Sequence, residues 1–277
     1  MKRNFLTIAL TLITLGLILV GSAAFAQGGN EFTVPLSDPA KRGKLKAHLN
    51  YGSITVKGTG RKDILVKYKA EQDEEDRGRG HNGKNLDGLK RVSGGGMDLE
   101  ASENNNYVKI SSDSWNNKMD LEIEVPSGFD LDIHTYNDGD LIVSNIQGEL
   151  ALTNYNGEIT ALNISGSAVA TTYNGDIKIT FDKITENTPM SYSTYNGDID
   201  LAMPAATKAS FKMKTEQGEI YTGFDMEITS SGPVQKKDTK SGTFKIVIDD
   251  WKKGNINGGG PEMTMKNYNG DIYIRKK

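Results

Sequence analysis

Gly139, Gly148, Gly157, Gly166 and Gly175 stand at a constant interval of nine residues, and this spacing limits the fold more than any other feature of the chain. Aligned on those glycines, the segments read GDLIVSNIQ, GELALTNYN, GEITALNIS, GSAVATTYN and GDIKITFDK. The third and fifth places are apolar in every unit: Leu141 and Val143, Leu150 and Leu152, Ile159 and Ala161, Ala168 and Ala170, Ile177 and Ile179. Apolar residues at alternate positions are the mark of a strand with one buried face. Alternate units agree best, because Ile146 and Ile164 share a place that Tyr155 and Tyr173 take in the other units. The full repeat is therefore two strands long.

Part of the unit recurs beyond the regular stretch. Tyr173-Asn174-Gly175-Asp176-Ile177, Tyr195-Asn196-Gly197-Asp198-Ile199 and Tyr268-Asn269-Gly270-Asp271-Ile272 are copies of one phrase, with a weaker one at Gln217-Gly218-Glu219-Ile220. The growing intervals after Gly175 place insertions near Thr185 to Met190 and Ser230 to Ser241. Asn-Gly between alternating apolar runs is also a strong hairpin signal, so an antiparallel β meander is the alternative architecture. A hairpin pattern mirrors about its turn, whereas this one translates. The sequence therefore predicts an all-β solenoid, a β-helix-like stack of short strands with a nine-residue half-coil, each coil stable only against its neighbours.

Strand patterns precede the repeat at Lys44 to Leu49, Ser53 to Lys57, Ile64 to Lys69, Tyr107 to Ser111 and Met119 to Val125, and Asn50-Tyr51-Gly52-Ser53-Ile54 is a degenerate copy of the later phrase. Residues 71–96 break the pattern with Asp73-Glu74-Glu75-Asp76, Arg77, Arg79 and repeated glycines, a composition expected of a surface loop. The mature chain shows no amphipathic helix pattern. Leu121-Glu122-Ile123-Glu124-Val125-Pro126-Ser127-Gly128, followed by the Asn-Gly-acid-Ile units, resembles the bacterial β-strand-repeat family of adhesin-like domains of unknown function. Leu45 to Tyr68 is similar to that family's opening strands. The resemblance implies a β-solenoid-like fold and an exported location, and for some relatives a link to envelope-stress regulation. It brings no catalytic residues with it.

Export is also expected from the first residues. Met1-Lys2-Arg3, an apolar run from Phe5 to Val20, and Ala24-Phe25-Ala26 form the three parts of a secretory signal peptide cleaved after Ala26, so 1–26 would be removed. An uncleaved anchor is the competing reading, and no second apolar run approaches membrane length. Residues 27–125 then form an N-terminal β-strand region and 126–277 the repeat region, continuous as one domain. The predicted address is periplasmic or cell-surface. The 277 residues contain no cysteine, which excludes disulfides and thiolate chemistry, and a net charge of −3 argues against a nucleic-acid partner.

Candidate chemistry is sparse. Asp140, Glu158, Asp176 and Asp198 follow the glycines on one edge, with Glu149 on the other. Acids in exposed turns keep strand edges soluble, and a calcium row would need more oxygen ligands and a glycine-rich motif that this chain lacks. Tyr155, Tyr173 and Tyr195, with Tyr136 one place out of register, form either an exposed strip able to stack on sugars or a partner, or a cover along the core edge. The turn resets side-chain direction, so alternation leaves this open, and edge packing is the commoner fate. Asn156, Asn174 and Asn196 suit stacked amides and turn geometry. His48, His81 and His134 fall in no metal-binding or catalytic spacing, although His134 alternates with Asp132 and Tyr136.

The expectation is an exported envelope binding or structural module, adhesin-like and without catalytic activity, cofactor or metal. Tyr136, Tyr155, Tyr173, Tyr195, Asp176 and Asp198 are the candidate ligand residues, and an envelope glycan or another envelope protein the partner. A periplasmic stress or assembly accessory is the alternative, and a polysaccharide-active enzyme the weaker one.

Overall fold

The computed structural model describes residues 30–71, 99–230, 233–237, 244–248 and 251–277. The expected signal peptide and nearly all of loop 71–96 lie outside the described residues. Every element among the described residues is a strand, and the repeating strands pair in parallel, which decides for the solenoid against the meander. Each coil lays one strand in a first sheet, turns a corner at the Asn-Gly phrase, lays a second strand in the facing sheet, and returns around a far corner. In Ile159–Thr171 the chain bends through Gly166, its first half pairing in one sheet and its second half in the other.

All ten residues at the third and fifth places are buried, from Leu141 to Ile179. They fill the space between the sheets, joined at the far corner by Ile146, Ile164 and Phe181. No coil could retain this face alone; stacking removes it from water at about 1.5–3 kcal/mol for each large side chain. Tyr192 occupies one inward place and is wholly buried, its hydroxyl 3.3 Å from the Met190 sulfur. Burial drives its phenol pKa upward.

Coil order departs from chain order at both ends. Taking first-sheet strands, the parallel run is Tyr107–Ser112, Lys44–Tyr51, Asp130–Asn137, Glu149–Thr153, the second half of Ile159–Thr171, Met190–Ser193, Glu262–Lys266 and Ala209–Lys214. The earliest coil thus sits second in the stack and the last coil sits second from the other end. The facing sheet repeats this order, with Ile54–Thr59 between Lys118–Pro126 and Leu141–Ser144, and Ile272–Lys276 between Ile199–Met203 and Ile220–Thr222. Antiparallel strands close the ends. Asp63–Glu71, then Glu31–Pro35, lie on Lys118–Pro126, and Glu100–Asn104 lies on Tyr107–Ser112. Lys252–Ile256 followed by Thr229–Ser230 covers Ala209–Lys214. Pro233–Lys237 and Phe244–Ile248 form a separate hairpin.

Candidate functional site

The Asn-Gly corner is built from ladders, each linking one residue per coil. Glycines stack in the order Gly52, Gly139, Gly157, Gly175, Gly197, Gly270, Gly218. A Cβ on Gly175 would fall 2.2 Å from the Gly157 carbonyl oxygen, and Gly175 has φ +148°, so no other residue fits there. The buried residue before each tyrosine holds these carbonyls. Thr172 Oγ1 donates to Gly157 O at 3.0 Å, Thr194 Oγ1 to Gly175 O at 2.9 Å, and Asn154 Nδ2 to Gly139 O at 2.9 Å. Thr135 and Asn267 do the same for Gly52 and Gly197, and half-buried Thr215, which precedes Glu216, does so for Gly270.

The next position carries the rings. Tyr136, Tyr155, Tyr173, Tyr195 and Tyr268 stack with centroids 4.8–5.1 Å apart and planes within 7° of parallel. Trp115 closes one end edge-on against Tyr136 at 5.2 Å. The register of Tyr136 is explained by Asp138, an extra residue at φ +48° that absorbs the offset and lets the ring join the column. The rings are neither core nor free strip. Each is about 40% exposed, yet the faces inside the column are covered by neighbouring rings. The ladder therefore offers water its ring edges and hydroxyls, and stacking of a sugar on an internal face is closed.

Beside the rings, Asn137, Asn156, Asn174, Asn196 and Asn269 chain their amides, Nδ2 to Oδ1, at 3.3, 2.8, 2.7 and 2.7 Å. The acids have a backbone task. Asp140, Asp176, Asp198 and Asp271 each accept from the N–H of the acid on the next coil at 2.8–2.9 Å: Glu158, Asp198, Asp271 and Glu219. Asp176 and Asp198 thus cap the stack with one oxygen and keep the other for solvent or a partner. No group of three or more potential metal-ligating side chains occurs among the described residues. Asp271 also accepts from the Tyr273 hydroxyl at 2.9 Å; that bond, with some burial, pushes the Tyr273 pKa up to about 12.

His134 lies on the outer face of the first sheet, its Nε2 2.7 Å from Asp132 Oδ1, directly across from His48. Burial would raise the Asp132 pKa, but His134, Lys44 and Lys46 outweigh it and hold the carboxyl low. Sequence reasoning passed over Trp115, Tyr268 as a ring of the column, and the Thr/Asn row. A signal for the last existed, since a Thr or Asn precedes every tyrosine of the phrase.

Stacked parallel coils with glycine, amide and aromatic ladders at one corner define the class, a two-sheet β-solenoid. The family model Toastrack DUF4097 matches residues 91–257, more than half of the chain, and the chain belongs to this family of unknown function. The match excludes both intercalated coils, 44–59 and 262–276. No curated protein matches the chain. A solved structure described as a "putative cell adhesion protein" from Clostridium sporogenes ATCC 15579 is similar at TM-score 0.48 and 11% identity, covering 89% of this chain and 99% of that one.

Proposed function

We propose that the protein is a non-catalytic binding module of the bacterial envelope, exported and adhesin-like, whose contact line is the aromatic–amide corner. One observation carries this proposal: a rigid column from Trp115 to Tyr268 keeps hydroxyls and amides in register along the surface, where core packing does not require them. Many weak, equally spaced contacts suit a repetitive partner such as a glycan, because binding at one coil raises the effective concentration at the next. Asp176, Asp198 and His134 support a non-enzymatic role, since their hydrogen bonds serve the coil stack or the sheet face.

The test uses the triple variant Tyr155→Phe, Tyr173→Phe, Tyr195→Phe, which keeps the stacked rings and removes their hydroxyls. On immobilised envelope glycans and on intact cells, the native chain is retained and the variant loses retention at least tenfold with an unchanged circular dichroism spectrum. Absence of native retention on every glycan and cell surface would sink the proposal. Protease shaving of intact cells separates the two addresses: protection until the envelope is opened would move the partner to the periplasm and favour an assembly accessory.

A further inference from the structure

The outer face of the first sheet changes character along the stack. At one end each lysine of Lys44–Tyr51 that faces outward has an acid across from it, Lys44 facing Asp130 and Lys46 facing Asp132, with Lys44 Nζ 3.5 Å from an Asp132 carboxylate oxygen; on its other side Lys46 faces Lys109. Across the middle two rows are uncharged, Ala151, Val169 and Ser191 in one and Thr153, Thr171 and Ser193 in the next, with exposed Glu149 in the row beside them. At the other end the lysines face only lysines or uncharged residues on the neighbouring strands. Lys212 lies directly across from Lys253, and Lys214 directly across from Lys266. Like charges directly opposite on neighbouring strands are destabilising.

Among the described residues, the nearby acids do not neutralise this end. Lys214 pairs with Glu216 at 2.7 Å, and Glu262 lies on the same face beside Ser210, with Thr264 Oγ1 3.5 Å from its carboxylate. Lys212, Lys253 and Lys266 have no carboxylate within ion-pair distance among the described residues. Defence of an open strand edge does not explain them, because Lys212 and Lys266 sit on interior strands. Lys212 instead holds its ammonium 4.6 Å from the Trp251 ring centre, which brings an aromatic side chain among the cations.

We propose that Lys212, Lys253 and Lys266, with Trp251, form an anion-binding site that takes the acidic sugar of an oligosaccharide lying along this face. The carboxylate would settle between the opposed ammonium groups and relieve their repulsion, with the Trp251 ring steadying Lys212. An uncharged row, Thr153, Thr171 and Ser193, leads across the sheet to Lys266, which suits a partner with local charge better than one charged uniformly, such as a nucleic acid. This site deepens the glycan-binding proposal above but stands on different residues, so each can fail alone.

Short oligogalacturonate is the probe, with a malto-oligosaccharide of equal length as the neutral control. Calorimetric titration of the full chain should show oligogalacturonate binding that weakens as salt rises. Lys212→Gln with Lys253→Gln and Lys266→Gln should weaken it at least tenfold, whereas Lys46→Gln at the opposite end changes it less than twofold. A second readout guards against misfolding: in low salt, Lys253→Gln alone raises Tm, and oligogalacturonate raises the Tm of the native chain but not of the triple variant. Equal loss in Lys46→Gln would overturn the proposal, as would tighter binding of a single-stranded oligonucleotide or binding to anionic phospholipid vesicles alone. If oligogalacturonate binds while the three tyrosine-to-phenylalanine changes leave glycan retention untouched, the lysine site stands and the tyrosine contact line falls.

Discussion

The two corners of the coil solve the same bend under different constraints. At the tyrosine corner, every coil from Gly52 to Gly218 keeps the glycine contact, and five successive coils contribute a ring. The far corner is strict only where Gly148 and Gly166 stack, with Asn145 and Asn163 joined by a 3.0 Å amide bond. Beyond that it accepts 185–189 and 204–208 as loops. Regularity on one side is sufficient to hold register, because each strand's start is set there and its apolar face follows by alternation. Length can vary where no ladder must continue.

Insertion offers the sharpest way to break this contrast. Two residues placed after Asn174 would move a ring, an amide and a carboxylate out of register together, and the chain should fail to give a cooperative unfolding transition. The same pair placed after Glu186 should cost less than about 1 kcal/mol in urea unfolding, as loop closure depends weakly on length. Gly175→Val comes next, expected to cost about 4 kcal/mol or more through backbone overlap. Gly128→Ala, whose Cβ meets nothing within 4 Å, should stay within about 0.5 kcal/mol on the same measurement. Thr194→Val should cost about 1–3 kcal/mol by leaving the Gly175 carbonyl without its donor.

The smallest effects are electrostatic. Burial would raise the Asp130 pKa, but Arg42, whose Nε donates at 2.9 Å, and the Glu149 N–H reverse this and hold the carboxyl below its ordinary range. A carboxyl held low in the folded state contributes stability above the ordinary aspartate range and loses it as pH falls through the folded value. Asp130→Asn should therefore reduce Tm near neutrality and converge with the native chain in acid. Tyr273, raised to about 12, should ionise late in an ultraviolet alkaline titration, and Asp271→Ala should bring that transition down.

The sequence made the strand faces legible because alternation is local. Leu141, Val143, Ile177 and Ile179 declare their side without reference to any neighbour. The glycine and asparagine columns were legible because an identical corner needs identical residues in every coil. Coil order was not. Ile54, Ile199 and Ile272 present the same inward side chain, so any of these strands could pair with several others, and the repeat carries no label for its place in the stack. The exposure of Tyr155 and Tyr173 was equally hidden, since the turn resets direction and only the completed column shows which parts of each ring remain wet. The lysine end was illegible because Lys212 and Lys253 meet only through an antiparallel pairing across a long sequence separation.

The intercalated coils bear on how the molecule comes into being. Strand Glu262–Lys266 separates Met190–Ser193 from Ala209–Lys214, so a chain lacking its last residues would have a gap inside the sheet, not a frayed end. Likewise, Lys44–Tyr51 cannot gain both neighbours until residues beyond 130 are available. Assembly therefore cannot proceed as a zipper that follows synthesis. Completion of the stack is withheld until Glu262–Lys266 and Ile272–Lys276 arrive, which makes the native fold a check that synthesis has passed them.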